Sequence, residues 1–559
     1  MTENDGRSLL FSILEKNSNF FSNFFQFFCY RMLPARCLFL FLTLPRVIST
    51  LHILFYILLL GKSHIDFTDS LIDALVENGH TVDLIIARMN SHVTTNGSAR
   101  TSRIYSYGFK EESPWSKTPH LLDPFKEKVR SWKEHVHYVE IASELCEIGL
   151  SDPGLHKFLA NQKYDIGIAT EYDYCGFALM KFYSIPSIVS VSSMAILDQQ
   201  SIGAGMPNSA AVTQALFEPE DLSTWLGKLK NLINWTHINF IVYPYCRRIQ
   251  SKSINKYLGD QIDPENLMES IDIQFLNSNE LIELPRVVTP KIKFIGGINL
   301  RKSKGILADD VENLISGGGG VKEGIVVFCF GTQVASNLFP IEVRHAFAAA
   351  FRQFPEFTFV WKYELQEGDQ QIFANTTNLK FLKWLPQTDL LNDPRTRAFI
   401  SHTGLNSYLE SSYAGVPILA IPLFADQPHN AKSGESIGTT YVLDKTQLTT
   451  HNIVKGLKAV LYDTSYLHNA KRISKMLKDR PNPPKSIFVE WVEFAARNPL
   501  LHRNLNLPGQ KMTVIEYYCI DLILFCVGFV VFVVFVVWRG IGLMGRGLRG
   551  LVVKKKKIE

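Results

Sequence analysis

The stretch 384–427, WLPQTDLLNDPRTRAFISHTGLNSYLESSYAGVPILAIPLFADQ, gathers groups suited to an anion and a polyol. A strand over 397–401 carries Ser401-His402-Thr403-Gly404 to its carboxyl end, and Leu405 opens a helix. Gly404 permits close backbone approach. The N–H groups of residues 404–407 are then unpaired donors at the positive end of a helix dipole, a ready anion site. Asn406 and Ser407 add side-chain donors and His402 adds another. Glu410 lies one turn beyond Asn406 on the same face, where it can accept bonds from ribose hydroxyls. Asp426 and Gln427 follow the next strand and offer acceptors and donors for a sugar. Trp384 can stack on a base and Gln387 can hydrogen-bond it.

A second chemical candidate stands far away in sequence. His64 follows the apolar run 53–60 (ILFYILLL) and the turn beginning at Gly61. An imidazole with an ordinary pKa of about 6.5 suits a general base at neutral pH. His80 reads as a turn residue after the next helix.

Both candidates need a scaffold, and the periodicity supplies it. Residues 53–60 read as a buried strand, 65–77 as a helix stopped by Asn78-Gly79, and 81–87 as the next strand. This is a βαβ unit with parallel strands. Further strands are expected at 164–169 and 187–191, flanking a helix near 175–183. A second alternating set begins at Ile325–Phe330 and continues with strands at Thr358–Trp361, Leu379–Leu382, Arg397–Ser401, Pro417–Pro422 and Thr440–Leu443. The fold class is therefore α/β, two tandem doubly wound domains. Ligands of such sheets bind beyond the carboxyl ends of the strands, so the cleft between the domains is the expected site.

The boundaries expected are an N-terminal extension and signal peptide at 1–49 (core signal 32–49), a first domain at 50–285, and a linker at 286–300. A second domain follows at 301–480, then a return segment at 481–516, a transmembrane helix at 517–538 and a basic tail at 539–559. The span rests on the uncharged run LILFCVGFVVFVVFVVW at Leu522–Trp538, extended by Tyr517–Asp521 to the length a bilayer requires. Gly317–Gly320 reads as a flexible connector, because no Gly-Lys-Ser/Thr follows it.

The charge is placed accordingly. Formal net charge is +5, but residues 539–559 carry +6 and residues 1–49 carry +2, leaving −3 on the remainder. The basic balance thus comes from the two ends, which argues against nucleic acid as a partner of the body. The positive-inside bias puts 539–559 in the cytoplasm and the preceding body on the other side of the membrane. Lys556 and Lys557, fourth and third from the end, resemble a dilysine signal for retrieval to the endoplasmic reticulum. The sequons at Asn96, Asn234 and Asn375 suit a lumenal body as glycosylation sites. Cys146, Cys175, Cys246 and Cys329 show no CxxC spacing, so neither a zinc site nor a disulfide scaffold is read from them. No Asp-x-Asp occurs, so no metal grip on a diphosphate is read either. Oligomeric state, homo- or hetero-oligomer included, is left open.

The segment 384–427 resembles the signature of the UDP-glycosyltransferases, W-x2-Q…H-x-G-x-N-S-x2-E…D-Q, with all eight polar or Gly landmarks present at that spacing. Thr403 fills a position where the family more often has Gly or Cys. With the signal, the span, the basic tail and Asn277–Gly297 (NSNELIELPRVVTPKIKFIGG), the chain resembles the animal UDP-glucuronosyltransferases. The resemblance implies a GT-B fold, a C-terminal domain that binds the UDP-sugar and an N-terminal domain that binds a small lipophilic acceptor. It implies no cofactor beyond the co-substrate. Thr332, after the first strand of the second domain, is implied as a phosphate contact. The pair Ser63-His64 matches the family's base, which implies inverting, metal-independent transfer of glucuronate from UDP-glucuronate. The family's partner carboxylate falls on Thr170 when aligned without gaps; a one-residue loop adjustment delivers Glu171, with Asp173 in reserve. A UDP-hexose donor such as UDP-glucose and a non-catalytic UDP-sugar-binding membrane protein stay open as alternatives. A Rossmann NAD enzyme is disfavoured, since no G-x-G-x-x-G follows either first strand.

Overall fold

The computed structural model describes residues 50–118, 124–125, 132–197, 200–201, 204–206, 220–259, 262–317, 322–332 and 334–556. The expected N-terminal extension and signal, Gly318–Gly320 and Lys557 lie outside these residues.

The run HILFYILL forms strand β1 (His52–Leu59), buried at every position after the first. Continuous apolar strands of this kind belong inside a parallel sheet covered on both faces. Six more strands join it: β2 (Thr81–Arg88), β3 (Arg103–Gly108), β4 (Ile166–Thr170), β5 (Ile188–Ser192), β6 (Ile273–Leu276) and β7 (Ile292–Phe294). Their order is β3-β2-β1-β4-β5-β6-β7, with every pair parallel. The second sheet contains β8 (Gly324–Cys329), β9 (Phe357–Lys362), β10 (Leu379–Leu382), β11 (Thr396–Ser401), β12 (Ile418–Ala420) and β13 (Thr440–Val442), in the order β10-β9-β8-β11-β12-β13. Each sheet reverses direction of growth once, beside β1 and β4 in the first and beside β8 and β11 in the second. Those reversals are the switch points at which α/β sheets hold ligands.

Three helices matter for the first half of the site. Helix α1 (Lys62–Glu77) starts earlier than its apolar periodicity suggests, so His64 stands in its first turn rather than in a preceding loop. Helix α2 (Trp132–Leu150) and helix α3 (Cys175–Phe182) are joined by a disulfide between Cys146 and Cys175. This bond spans 29 residues of sequence and has no spacing signature. Two further helices, α4 (Trp225–His237) and α5 (Tyr243–Leu258), are continuous through a π turn at Ile238–Val242.

The stretch expected as a linker, 286–300, is built differently. Its middle is β7, which extends the first sheet by pairing with β6. The expected return segment, 481–516, also has a fold of its own. After α6 (Leu405–Ala414), α7 (Gln427–Ser436) and the rest of the second unit, helix α8 (Pro484–Arg497) crosses back to the first. Phe488, Val489, Val492 and Ala495 are buried there, and the Phe488 ring meets Phe275 of β6 edge-on at 4.9 Å. Downstream, His502 Nδ1 lies 2.8 Å from the Asp272 carboxylate, and Lys291 Nζ donates to Asn506 at 2.7 Å. The chain then reaches α9 (Ile520–Lys556). Its segment Ile520–Gly547 is long and apolar enough to cross a membrane, and none of its most apolar window is buried. The turn at Cys519 (φ 51°) puts the start of this helix three residues after the expected Tyr517.

Candidate functional site

A cleft of about 1020 Å³ opens between the carboxyl edges of the two sheets. His64, Glu171, Thr332, Trp384, Gln387, His402, Gly404, Asn406, Ser407, Glu410, Asp426 and Gln427 all line it. They come from the loops and helix starts after β1, β4, β8, β10, β11 and β12, so both switch points feed one cavity.

The second-unit wall is built around the start of α6. Gly404 is the residue before its first turn, and no side chain caps the exposed N–H groups there. Thr403, immediately before, has φ 59°. That left-handed conformation is costly for a β-branched residue. It is held by hydrogen bonds on every side: the Thr403 hydroxyl donates to the Gln427 carbonyl at 3.1 Å, its N–H reaches Ser401 Oγ at 3.1 Å, and its carbonyl accepts from Asn430 at 3.0 Å. Ala425 is also left-handed, at φ 57°. Two strained non-glycine residues thus shape the loops that carry His402 and Asp426.

His402 is wedged between two glycine loops. A Cβ on Gly404 would come within 2.7 Å of His402 Nε2, and one on Gly331 within 3.0 Å. Burial, with the nearby Lys362 ammonium, pushes its pKa down to about 4, so the ring is neutral at neutral pH. Trp384 stands at the rim with 65% of its surface exposed, the Lys362 ammonium 5.5 Å from its ring.

Several of the expected polar side chains already accept hydrogen bonds from the protein. The Asn406 side-chain oxygen Oδ1 accepts from Asn277 at 3.2 Å and from Asn299 at 2.9 Å, tying α6 to the segments on either side of β7. Ser407 Oγ accepts from Gln387 at 3.2 Å, so these two position one another. The Gln427 side-chain oxygen accepts from the backbone of Leu423 and Phe424 and fixes that loop. Glu410 accepts from Thr388 at 3.1 Å, and burial raises its pKa. Asp426 accepts from Asn430 at 2.9 Å and is likewise raised by burial.

On the first-unit wall, His64 lies against Tyr172, ring centroids 5.1 Å apart. Burial pushes its pKa down to about 4. Its Nδ1 is buried and has no hydrogen-bond partner among the described residues. The expected pairing with Glu171 is not formed. Glu171 accepts instead from Gln274 of β6 at 3.0 Å, and burial lifts its pKa to about 7. The reserve, Asp173, accepts from Tyr56 at 3.4 Å and is likewise lifted to about 7 by burial. The Thr170 hydroxyl accepts from the Leu58 N–H at 3.0 Å. Glu171 is buried at the cleft wall, held where β4 and β5 pair through Thr170 and its own N–H donates to the Val191 carbonyl, with its carboxylate turned to Gln274.

The cleft also contains residues that the sequence reading passed over. Lys362 ends β9 and donates to the Gly331 carbonyl at 2.5 Å, beside the expected phosphate contact Thr332. The rule that ligands meet strand carboxyl ends would have found it. Arg301, Lys302 and Lys304 supply further positive charge from the segment entering the second unit.

A family model described as UDP-glucoronosyl and UDP-glucosyl transferase matches residues 57–557. UDP-glucuronosyltransferase 2B1 of Rattus norvegicus is 27% identical over 481 residues, covering 84% of this chain and 89% of that protein. UDP-glucuronosyltransferase 1A4 of Homo sapiens is 30% identical over 457 residues, 81% of each chain. Among solved structures, the glycotransferase of kitacinnamycin is similar with a TM-score of 0.57 at 15% identity, over 81% of this chain and 100% of that one. CalG4, the calicheamicin glycosyltransferase, is similar with a TM-score of 0.52 at 14% identity, over 80% and 99%. The two facing parallel sheets and these likenesses make the fold GT-B.

Proposed function

Since the chain belongs to the UDP-glucoronosyl and UDP-glucosyl transferase family, we propose that this glycosyltransferase moves glucuronate from UDP-glucuronate to hydroxyl groups of small lipophilic acceptors. The observation that carries the reading is the convergence of all twelve candidate residues on one cleft fed by both switch points. The uncapped start of α6 and neutral His402 would hold the diphosphate, which leaves as UDP. Trp384 would stack on the base. Arg301, Lys302, Lys304 and Lys362 provide cations that a glucuronate carboxylate can use and an uncharged hexose cannot. Aromatic and apolar side chains such as Trp115, Tyr138, Tyr172, Met194 and Leu197 line the first-unit side, where an acceptor would sit. His64 would take the acceptor proton as oxygen attacks the anomeric carbon from the face opposite UDP, which gives inversion without a metal.

We place the reaction at the endoplasmic reticulum membrane, with α9 as a single span and both sheets on the lumenal side. The Cys146–Cys175 disulfide supports an oxidising compartment. Asn96 and Asn375 are exposed outside regular elements, whereas Asn234 is half-buried inside α4. Glycosidase treatment of the expressed chain should therefore collapse a two-glycan form. Asn96→Gln and Asn375→Gln should each remove one step and Asn234→Gln none. A chain with no glycan would refute the lumenal placement.

The lack of a partner for His64 Nδ1 among the described residues gives specific weight to a second reading, a UDP-sugar-binding membrane protein with little or no turnover. Microsomes containing the protein, supplied with UDP-glucuronate or UDP-glucose and a panel of phenols, decide between them. Glucuronide product is expected. Product from UDP-glucose alone would replace the donor, and UDP binding without product from either would establish the non-catalytic reading. Trp384→Ala should weaken UDP about 5- to 150-fold by calorimetry, the loss of one base–aromatic stack of about 1–3 kcal/mol; an unchanged Kd would remove Trp384 from the site.

A further inference from the structure

The continuous helix from α4 into α5 turns a large apolar face outward. Trp225, Leu226, Leu229, Leu232 and Ile233 recur at three- and four-residue spacing, within a stripe about 120° wide on a helical projection. All five are exposed, Trp225 by 76% and Ile233 by 57%. Beyond the π turn, Phe240, Ile241 and Tyr245 are also exposed. The buried residues of α4, Gly227 and Asn231, lie on the opposite side. Lys228 and Lys230 stand at the two margins of the stripe. Isolated exposed apolar residues are ordinary, but eight large ones along one helical segment are a contact surface.

The charge around this face identifies the contact. From Trp225 to Leu258 there are six basic residues and no acidic one, in a body that is otherwise net acidic. Lys256 lies 2.6 Å from Glu147, whose carboxylate also feels Lys252, and Lys230 lies 3.9 Å from Glu220. A two-fold contact of this face with a second copy would set one basic segment against another. An anionic lipid surface matches both properties: its acyl boundary takes the apolar stripe and its headgroups take the lysines and arginines. The path of the chain agrees. Gly205, on the first unit, is packed against Gln510, and Gly509 against Tyr517, just before α9 begins. The first unit is therefore where the proposed span departs.

We propose that α4 and the start of α5 form a second, in-plane membrane contact, lying on an anionic bilayer surface with Trp225, Leu229 and Ile233 in the acyl boundary. This rests on the reading of α9 as a span. The face would seat the first-unit side of the cleft at the bilayer, where lipophilic acceptors are concentrated.

Photo-crosslinking in the full chain tests it. A p-benzoylphenylalanine replaces Leu229, or Ile233 as a second position, in protein reconstituted into phosphatidylcholine–phosphatidylserine vesicles. The same label at Phe529 reports on the span, and at exposed Tyr462 on the second unit. Lipid adducts are expected at 229, 233 and 529 and not at 462. Lys228→Gln with Lys230→Gln should lower the 229 adduct several-fold in anionic vesicles and leave it unchanged in neutral ones. An adduct at 529 without one at 229 or 233 would overturn the face while sparing the span. Absence at all three would overturn both. Crosslinking of 229 to a second copy, or indifference of its lipid adduct to the lysines, would overturn the anionic-surface assignment.

Discussion

His64→Ala is expected to lower kcat about 10²- to 10⁴-fold and leave UDP affinity unchanged, the loss usual for a removed general base. His64 belongs to the first unit, across the cleft from the start of α6 and the Trp384 rim, so no donor contact is lost with it. The pH profile carries a sharper signature. Burial holds the imidazole at about 4, and among the described residues no carboxylate is paired with its Nδ1 to raise that value. The base acts when neutral, so kcat/KM should rise as pH passes upward through about 4 and be level toward neutrality. A histidine paired with a carboxylate would place that limb above about 6.5. A weakly basic imidazole also takes a proton less readily, which predicts slow turnover. Full activity in His64→Ala would remove it from the mechanism, and an acid limb above 6.5 would mean that a carboxylate reaches it in the working enzyme.

The missing partner shows where the sequence was and was not legible. β1 and β8 are near-continuous apolar runs, and the alternation of strands and helices that they open points to a cleft at the strands' carboxyl ends without a structure. The landmarks of 384–427 follow, because a strand–turn–helix is local and its spacing fixes which groups share a face. β3 escaped because RIYSYG at the sheet edge is half exposed and carries no strong apolar run. β6 and β7 escaped because four- and three-residue strands have too little pattern. The same shortness made 286–300 look like a linker. Whether a carboxylate meets His64 depends on how β4 sits against β5 and β6, a long-range matter. Gln274 captures Glu171 from a strand more than a hundred residues away. Thr403 was legible as a departure from the family's smaller residues, and its positive φ explains why a small residue suits that position. The net-charge arithmetic was correct as a total but averaged away the acid-free segment 225–258, which only a local count and the exposed stripe bring out.

Glu283→Ala should destabilise the protein by about 3–5 kcal/mol, the cost of stranding one member of a buried ion pair. Glu283 lies between β6 and β7 and meets His429 Nε2 of α7, both side chains nearly inaccessible. Ser278 Oγ donates to the other carboxylate oxygen at 2.6 Å. The pair is one of several bolts between the units, with Tyr408 donating to the Ile282 carbonyl at 2.9 Å and Tyr413 to the Gly296 carbonyl at 3.1 Å. His429 lies one turn after Asp426, so the same substitution should loosen the loop bearing Asp426 and Gln427 and raise KM for the UDP-sugar more than it lowers kcat. Burial alone would raise the Glu283 pKa, but the His429 imidazole and the Ser278 hydroxyl outweigh it and hold the carboxyl near 2. An unfolded glutamate titrates at about 4.3. The folded state thus binds this proton more weakly, and the stabilisation is complete above about pH 4.3 and lost as pH falls toward 2. Denaturant midpoints of wild type and Glu283→Ala should differ fully at pH 5–6 and converge below about 4. Replacing both residues, Glu283→Leu with His429→Leu, should recover much of the loss, because the penalty lies in the unpaired buried group and not in the absence of charge. Equal midpoints for Glu283→Ala and wild type at pH 6 would show that the pair does not join the two units, and a difference that widens on acidification would reverse the assignment of which group is ionised.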